Sequence, residues 1–207
     1  MITLLQSPDL VGFRFDRPVR CLSSAVLGGG YTSPLSIVNL HVDKGYSGMN
    51  PAADIQAAAE GAKLPGPVVG LMTAVKLGRA VYASEGGVHV LATAGVSNAL
   101  AAGLTPPWDA GVGTINLIAF IDGRATDGAL AGAAITMTEA KVRALAGQGV
   151  RCPETSTPAT GTSTDAFAVA ALEAGPDLPF LGPATKEGFV LARLVYDSVT
   201  RSLRQGH

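Results

Sequence analysis

Gly113-Thr114-Ile115-Asn116-Leu117-Ile118-Ala119-Phe120-Ile121-Asp122 is the clearest strand in this sequence and reads as the centre of a sheet. Thr126 or Asp127 then caps a long helix that ends near Gly147–Gly149. Working outward, strands are expected over 10–15, 19–22, 35–42, 67–72, 80–83 and 88–94. Asn50-Pro51 has the form of a helix start, Asn as N-cap and Pro in the first turn, and the alanine-rich helix that follows should stop near Gly61. A last helix begins after Thr185, with Leu191, Val195, Val199 and Leu203 on one face and Arg193, Asp197 and Arg201 on another. Strands and helices alternate irregularly. The expectation is therefore one layered α/β or α+β domain over residues 1–207, with a mixed sheet and three to five helices, rather than a clean doubly wound sheet.

Composition narrows the function. The 207 residues are 47% hydrophobic and only 15% charged, with a formal net charge of −1. Lysines and arginines are scattered singly, so no nucleic-acid surface is expected. No run reaches the roughly 18 apolar residues of a membrane span, and residues 1–9 lack the basic and apolar regions of a secretory signal. A cytoplasmic setting follows as the expectation, with Cys21 and Cys152 as free thiols. His41, His89 and the terminal His207 show no ligand spacing, so no metal site is expected. The low charge and the apolar face of the last helix also fit a homodimer.

Several short patterns could carry chemistry. Gly28-Gly29-Gly30 is either a turn or a place where backbone N–H groups meet an anion or oxyanion. Asn39, His41 and Asp43 share one strand face opposite Val38, Leu40 and Val42, and His41 is the preferred histidine base, with His89 read as an edge residue. In Thr138-Glu139-Ala140-Lys141, Glu139 and Lys141 point about 200° apart on a helix, so at most one of them faces a shared site. Thr93-Ala94-Gly95-Val96-Ser97-Asn98 and Gly113-Thr114-Ile115-Asn116 place polar side chains at strand ends, where pockets form but caps and turns also occur. Thr160-Gly161-Thr162-Ser163-Thr164-Asp165 gathers hydroxyls and a carboxylate. It serves either as a catalytic loop, with Asp165 assisting a hydroxyl, or as a capping loop with Thr164 or Asp165 starting a helix at Ala166.

Taken in order, these pieces resemble the adenosylcobinamide amidohydrolase family. They are joined by Leu22-Ser23-Ser24-Ala25, Val69-Gly70-Leu71-Met72-Thr73-Ala74 and Gly182-Pro183-Ala184-Thr185. The resemblance implies a corrinoid salvage enzyme. It would hydrolyse the amide joining the aminopropanol arm to the corrin ring, giving adenosylcobyric acid. Some relatives also act on complete cobamides. No resident cofactor is implied, because cobalt arrives inside the corrinoid substrate. The segment 105–110 looks like a variable loop and adds nothing. Chemistry then assigns the expected roles: His41, Glu139 or Asp165 as base, Thr162 or Thr164 (or a water) as nucleophile, and Gly28–Gly30 as oxyanion donors. Ser23, Ser24, Asn39, Met72, Thr73, Ser97, Asn98, Thr114 and Asn116 are the remaining expected substrate contacts. A corrinoid-binding protein without hydrolysis and a phosphate- or nucleotide-handling transferase are the alternatives. The absence of a Walker lysine weighs against the second.

Overall fold

The computed structural model describes residues 2–107 and 113–205; His207 and the end of the 105–110 loop lie outside them. In order come β1 (Ile2–Gln6), β2 (Leu10–Phe15), β3 (Arg20–Ser23), β4 (Gly30–Thr32), β5 (Ser36–His41), α1 (Pro51–Gly61) and β6 (Val68–Thr73). A 3-10 turn (Leu77–Arg79), β7 (Val81–Glu85), β8 (Val88–Ala94), β9 (Ala99–Leu100), β10 (Ile115–Ala125) and α2 (Asp127–Gly147) follow. The chain continues through β11 (Gly161–Thr162), β12 (Ala166–Leu172), β13 (Asp177–Leu178) and α3 (Lys186–Arg204).

The strands divide into two mixed sheets where the sequence reading has one. The first has the order β1-β2-β5-β6 and the second β4-β3-β12-β10-β8-β7, with β13 also on β10; β9 and β11 pair separately. Among the described residues, parallel pairing is confined to β5–β6 and to β10 with β12 and β13. Each of the pairs β5–β6 and β10–β12 is bridged by a helix, α1 and α2 respectively.

Side-chain alternation along β10 explains how the layers stack. Ile115, Leu117, Ala119 and Ile121 are buried against α2 and α3, together with Val88, Val90 and Ala92 of β8 and Val169 and Ala171 of β12. The intervening Ile118 and Phe120 pack instead on Phe13, Ile37, Val69 and Leu71 of the other sheet. That sheet turns Leu10, Val38, Leu40 and Val68 toward Ile55 and Ala59 of α1. The order is helix, sheet, sheet, helices, with an apolar layer in each gap.

Among the described residues, the three α-helices begin on side-chain caps. Asn50, Thr126 and Thr185 accept hydrogen bonds from the N–H groups of Ala53, Ala129 and Gly188, each at 3.1 Å. Two local expectations fail. Ala166 opens a strand, so Asp165 caps no helix. His89 lies on β8, which is paired on both sides by β10 and β7, so it is no edge residue. Among the described residues no helix is long and apolar enough to cross a membrane.

Gly70 is where α1 comes closest to its sheet. A Cβ there would lie 2.2 Å from Cγ2 of the fully buried Ile55. Gly70→Ala should therefore destabilise the protein by about 1–3 kcal/mol in denaturant melts, and Ile55→Ala in the same chain should cost less than the two changes summed. His89 offers a second check. Burial holds its imidazole below the ordinary value, and Asp122 partly offsets this. As pH falls through about 6.5 the unfolded chain gains a proton that folded His89 resists, so stability is lost on acidification. His89→Gln should lose less Tm than the native protein between about pH 7 and pH 5.

Candidate functional site

One end of the gap between the sheets is polar. Here β5, β6 and β8 end and β10 and β12 begin. Asn39, Thr73, Thr93 and Asn116, all buried, continue the inward-facing rows that are otherwise filled by Ile37, Leu71, Leu91 and Ile118. Asn116 Nδ2 donates to Asn39 Oδ1 at 2.8 Å and to the Met72 carbonyl at 2.7 Å, and Asn39 Nδ2 donates to Thr93 Oγ1 at 3.0 Å. Thr114 Oγ1 lies 2.9 Å from Asn116 Oδ1 and 2.8 Å from the Thr164 carbonyl, its single proton serving one of them at a time. Thr73 Oγ1 accepts from the N–H of Val75. Buried polar groups in this row thus bond one another across the two sheets.

The hydroxyl-rich segment 160–165 closes over this end. Gly161 and Thr162 form β11 and pair with β9. The Gly113 carbonyl, at the approach to β10, accepts from Thr164 Oγ1 at 2.7 Å and Asn98 Nδ2 at 2.9 Å, and Thr162 Oγ1 lies 3.3 Å from it. Asn98 also donates to Ser163 Oγ at 2.7 Å. Asp165 is held on three sides. Its Oδ1 accepts from the N–H of Ile115 at 3.0 Å and from Thr162 Oγ1 at 2.5 Å, and its Oδ2 pairs with Lys141 Nζ at 2.6 Å. Lys141 is the member of the 138–141 pattern that faces the site; Glu139 is exposed and outside the cluster.

Two clefts open from this end and meet at Ala74 and Gly113. The larger, of about 550 Å³, is lined by His41 and Ser97 and by the charged Asp43, Lys44, Lys76 and Arg79. The smaller, of about 250 Å³, has apolar walls from Val26, Val42, Leu71 and Met72, with Tyr46 at one side and Thr73, Thr114 and Thr164 as polar contacts. Tyr46 is tethered to α1 by a hydrogen bond to Asp54, which raises its pKa to about 12.

The structure gathers most of the sequence-derived candidates and leaves some outside. Asn39, Met72, Thr73, Asn98, Thr114, Asn116, Thr162, Thr164 and Asp165 form one connected cluster with its cleft walls, and His41 and Ser97 line the adjoining cleft. Ser23 and Ser24 instead tie β3 to β12 through the Phe167 carbonyl and N–H. Gly28, Gly29 and Gly30 form the β3–β4 connection and line neither cleft. Gly28 and Gly30 have positive φ, and a Cβ on Gly29 would lie 2.6 Å from the Ala25 carbonyl, so backbone geometry accounts for the triplet. Residues the sequence reading did not select include Lys141 and Thr93, both inside quoted patterns, and Lys44, Lys76 and Arg79, which carry no local signature.

The sequence model of the family described as adenosylcobinamide amidohydrolase matches residues 2–207. A protein named adenosylcobinamide amidohydrolase from Methanosarcina mazei is 29% identical over 192 residues, covering 88% of each chain. An uncharacterized protein from Methanocaldococcus jannaschii is 39% identical over 95 residues, which are 44% of this chain and 36% of that one.

Lys141 and Glu139 can be told apart by stability. The Lys141 and Asp165 side chains are 11% and 17% exposed, so Lys141→Met leaves a mostly buried carboxylate without its cation. A loss of about 2 kcal/mol is expected in denaturant melts, somewhat below that of a fully buried pair. Glu139→Gln should stay within about 0.5 kcal/mol of the native protein. Gly161→Ala should resemble Lys141→Met, because its Cβ would lie 2.4 Å from Asp165 Oδ2 and 2.9 Å from Lys141 Nζ.

Proposed function

The chain belongs to the adenosylcobinamide amidohydrolase family, and we propose that it hydrolyses the amide linking the aminopropanol arm to the corrin ring of adenosylcobinamide. The products are adenosylcobyric acid and aminopropanol, and complete cobamides carrying the same arm fall within the same chemistry. The observation that supports this most directly is the meeting of two unlike clefts at Ala74 and Gly113. An edge of the mostly apolar corrin fits the walls of Val26, Leu71 and Met72. The amide arm then extends past Gly113 into the polar cleft with His41 and Ser97. Hydroxyls of Thr114 and Thr164 at the junction suit the amide groups on the rim of the ring.

Within this reading the attacking group is water. The Thr162 proton is directed to Asp165 and the Thr164 proton to the Gly113 carbonyl, so neither hydroxyl faces a free base. Asp165 is itself committed to Lys141, Ile115 and Thr162, and acts as the brace of the loop. His41 remains as the base. It takes a proton from water as the oxygen bonds to the amide carbon, then gives that proton to the nitrogen as the C–N bond breaks. Carboxylate and amine leave with atoms and charge balanced. Ser97, in the same cleft, is the assigned donor to the oxyanion. The cobalt in this scheme is the substrate's own, no resident cofactor is invoked, and the setting is cytoplasmic.

Incubation with adenosylcobinamide should release aminopropanol and cobyric acid in equal amounts, followed by chromatography. His41→Asn should lower kcat about 10²–10⁴-fold with the fold retained. Native-level turnover by that variant removes His41 from the chemistry. Binding of the corrinoid without product overturns the reading as a hydrolase.

A further inference from the structure

The polar cleft is strongly cationic for so weakly charged a chain. Among the described residues, Lys44, Lys76 and Arg79 line it against a single carboxylate, Asp43. Among the described residues none of the three cations makes an ion pair. Three surface arginines elsewhere are neutralised locally: Arg20 by Asp127 and Glu173, Arg124 by Asp177, and Arg193 by Glu85. The contrast is clearest in the cavity at the far end of β10 and β12. It has similar size and two arginines, yet both arginines are already paired with carboxylates.

Arg79 is also fixed in place. Its Nε donates to the Ser202 carbonyl at 3.2 Å, and its Nη2 donates to the same carbonyl at 3.0 Å and to that of Ala94 at 2.9 Å. These carbonyls, one of them in the last turn of α3, attract the guanidinium but carry only partial charge. They occupy Nε and Nη2, and among the described residues no acceptor meets Nη1. A cation oriented by backbone, half-buried in a cleft wall and flanked by two unpaired lysines, is arranged for a ligand anion.

We infer that Lys44, Lys76 and Arg79 form an anion subsite for a phosphate ester carried on the departing amino-alcohol arm. This rests on the proposed function above and deepens it by naming the side chains that would meet the phosphate when the arm bears a phosphodiester or phosphomonoester. Position supports it, because the cleft that holds the cations also holds His41 and Ser97. A group tethered just beyond the scissile nitrogen would reach the cations while the ring remains in the apolar cleft.

The test compares a complete adenosylcobamide with adenosylcobinamide on the native enzyme and on the double variant Lys44→Ala, Lys76→Ala. The variant should reduce kcat/KM for the phosphodiester substrate ~10-fold more than for the phosphate-free one, a gap that narrows at high salt. Lys44→Arg with Lys76→Arg should restore it. Equal losses on both substrates, or turnover of adenosylcobinamide with none of the complete cobamide, overturns the subsite while leaving the proposed function standing. Failure on both substrates overturns the proposed function. Calorimetric binding of the complete cobamide then decides the subsite alone, since equal affinity for native and double-variant protein rules it out.

Discussion

The hydrogen bond from Asn116 to Asn39 crosses the gap between two sheets that elsewhere meet through Ile, Leu, Val and Phe. In that setting an unmatched amide costs about 1–3 kcal/mol, so these two positions are committed to each other and fix how the sheets align at this end. Their remaining bonds, to Thr93 and the Met72 carbonyl and through Thr114 toward residue 164, tie five chain segments to that alignment. The loop bearing Thr162 and Asp165 is laid onto this base and then locked by Lys141 from α2. The clefts inherit their positions from the same contacts.

The two helix-bridged parallel pairs run so that different ends meet. Open α/β sheets usually bind ligands beyond the carboxyl ends of their strands. For β5 and β6 the site obeys that tendency, since His41 and Thr73 close those strands. For β10 and β12 it lies at the starts, while beside their far ends lie Arg124 of β10 and Arg20 of the neighbouring β3, both neutralised by carboxylates. Packing two sheets face to face allows one parallel pair to supply strand ends and the other to supply a rigid floor.

Local signals made the helices legible. Asn50-Pro51, Thr126 and Thr185 are caps, and the helices begin where those residues place them. The strand over Gly113–Asp122 was visible too, although it runs on to Ala125. The sequence could not show that strands alternating in the same way belong to two sheets, because pairing depends on contacts far apart in the chain. Ala166–Leu172 was ambiguous for a related reason: a short alanine-rich apolar run lacks a decisive period, and parallel pairing with β10 made it a strand. In the site, polar residues at strand ends were legible because an Asn inside an apolar row needs a partner. Gly28–Gly30 misled, since a tight turn and a ligand cradle require the same residue. Arg79 was invisible, because its meaning comes from carbonyls 15 and 123 residues away.

That last contact also makes the end of α3 part of the cleft. Leu203 and Gln205 line its wall, and the Ser202 carbonyl holds the arginine that faces it, while the Ser202 hydroxyl accepts from Ala94 of β8. Anything joined to the chain beyond Gln205 therefore starts at the rim of the polar cleft. A fusion partner or purification handle attached there would compete with substrate for the entrance. One attached before β1, on the outer edge of the opposite sheet, would leave the entrance open.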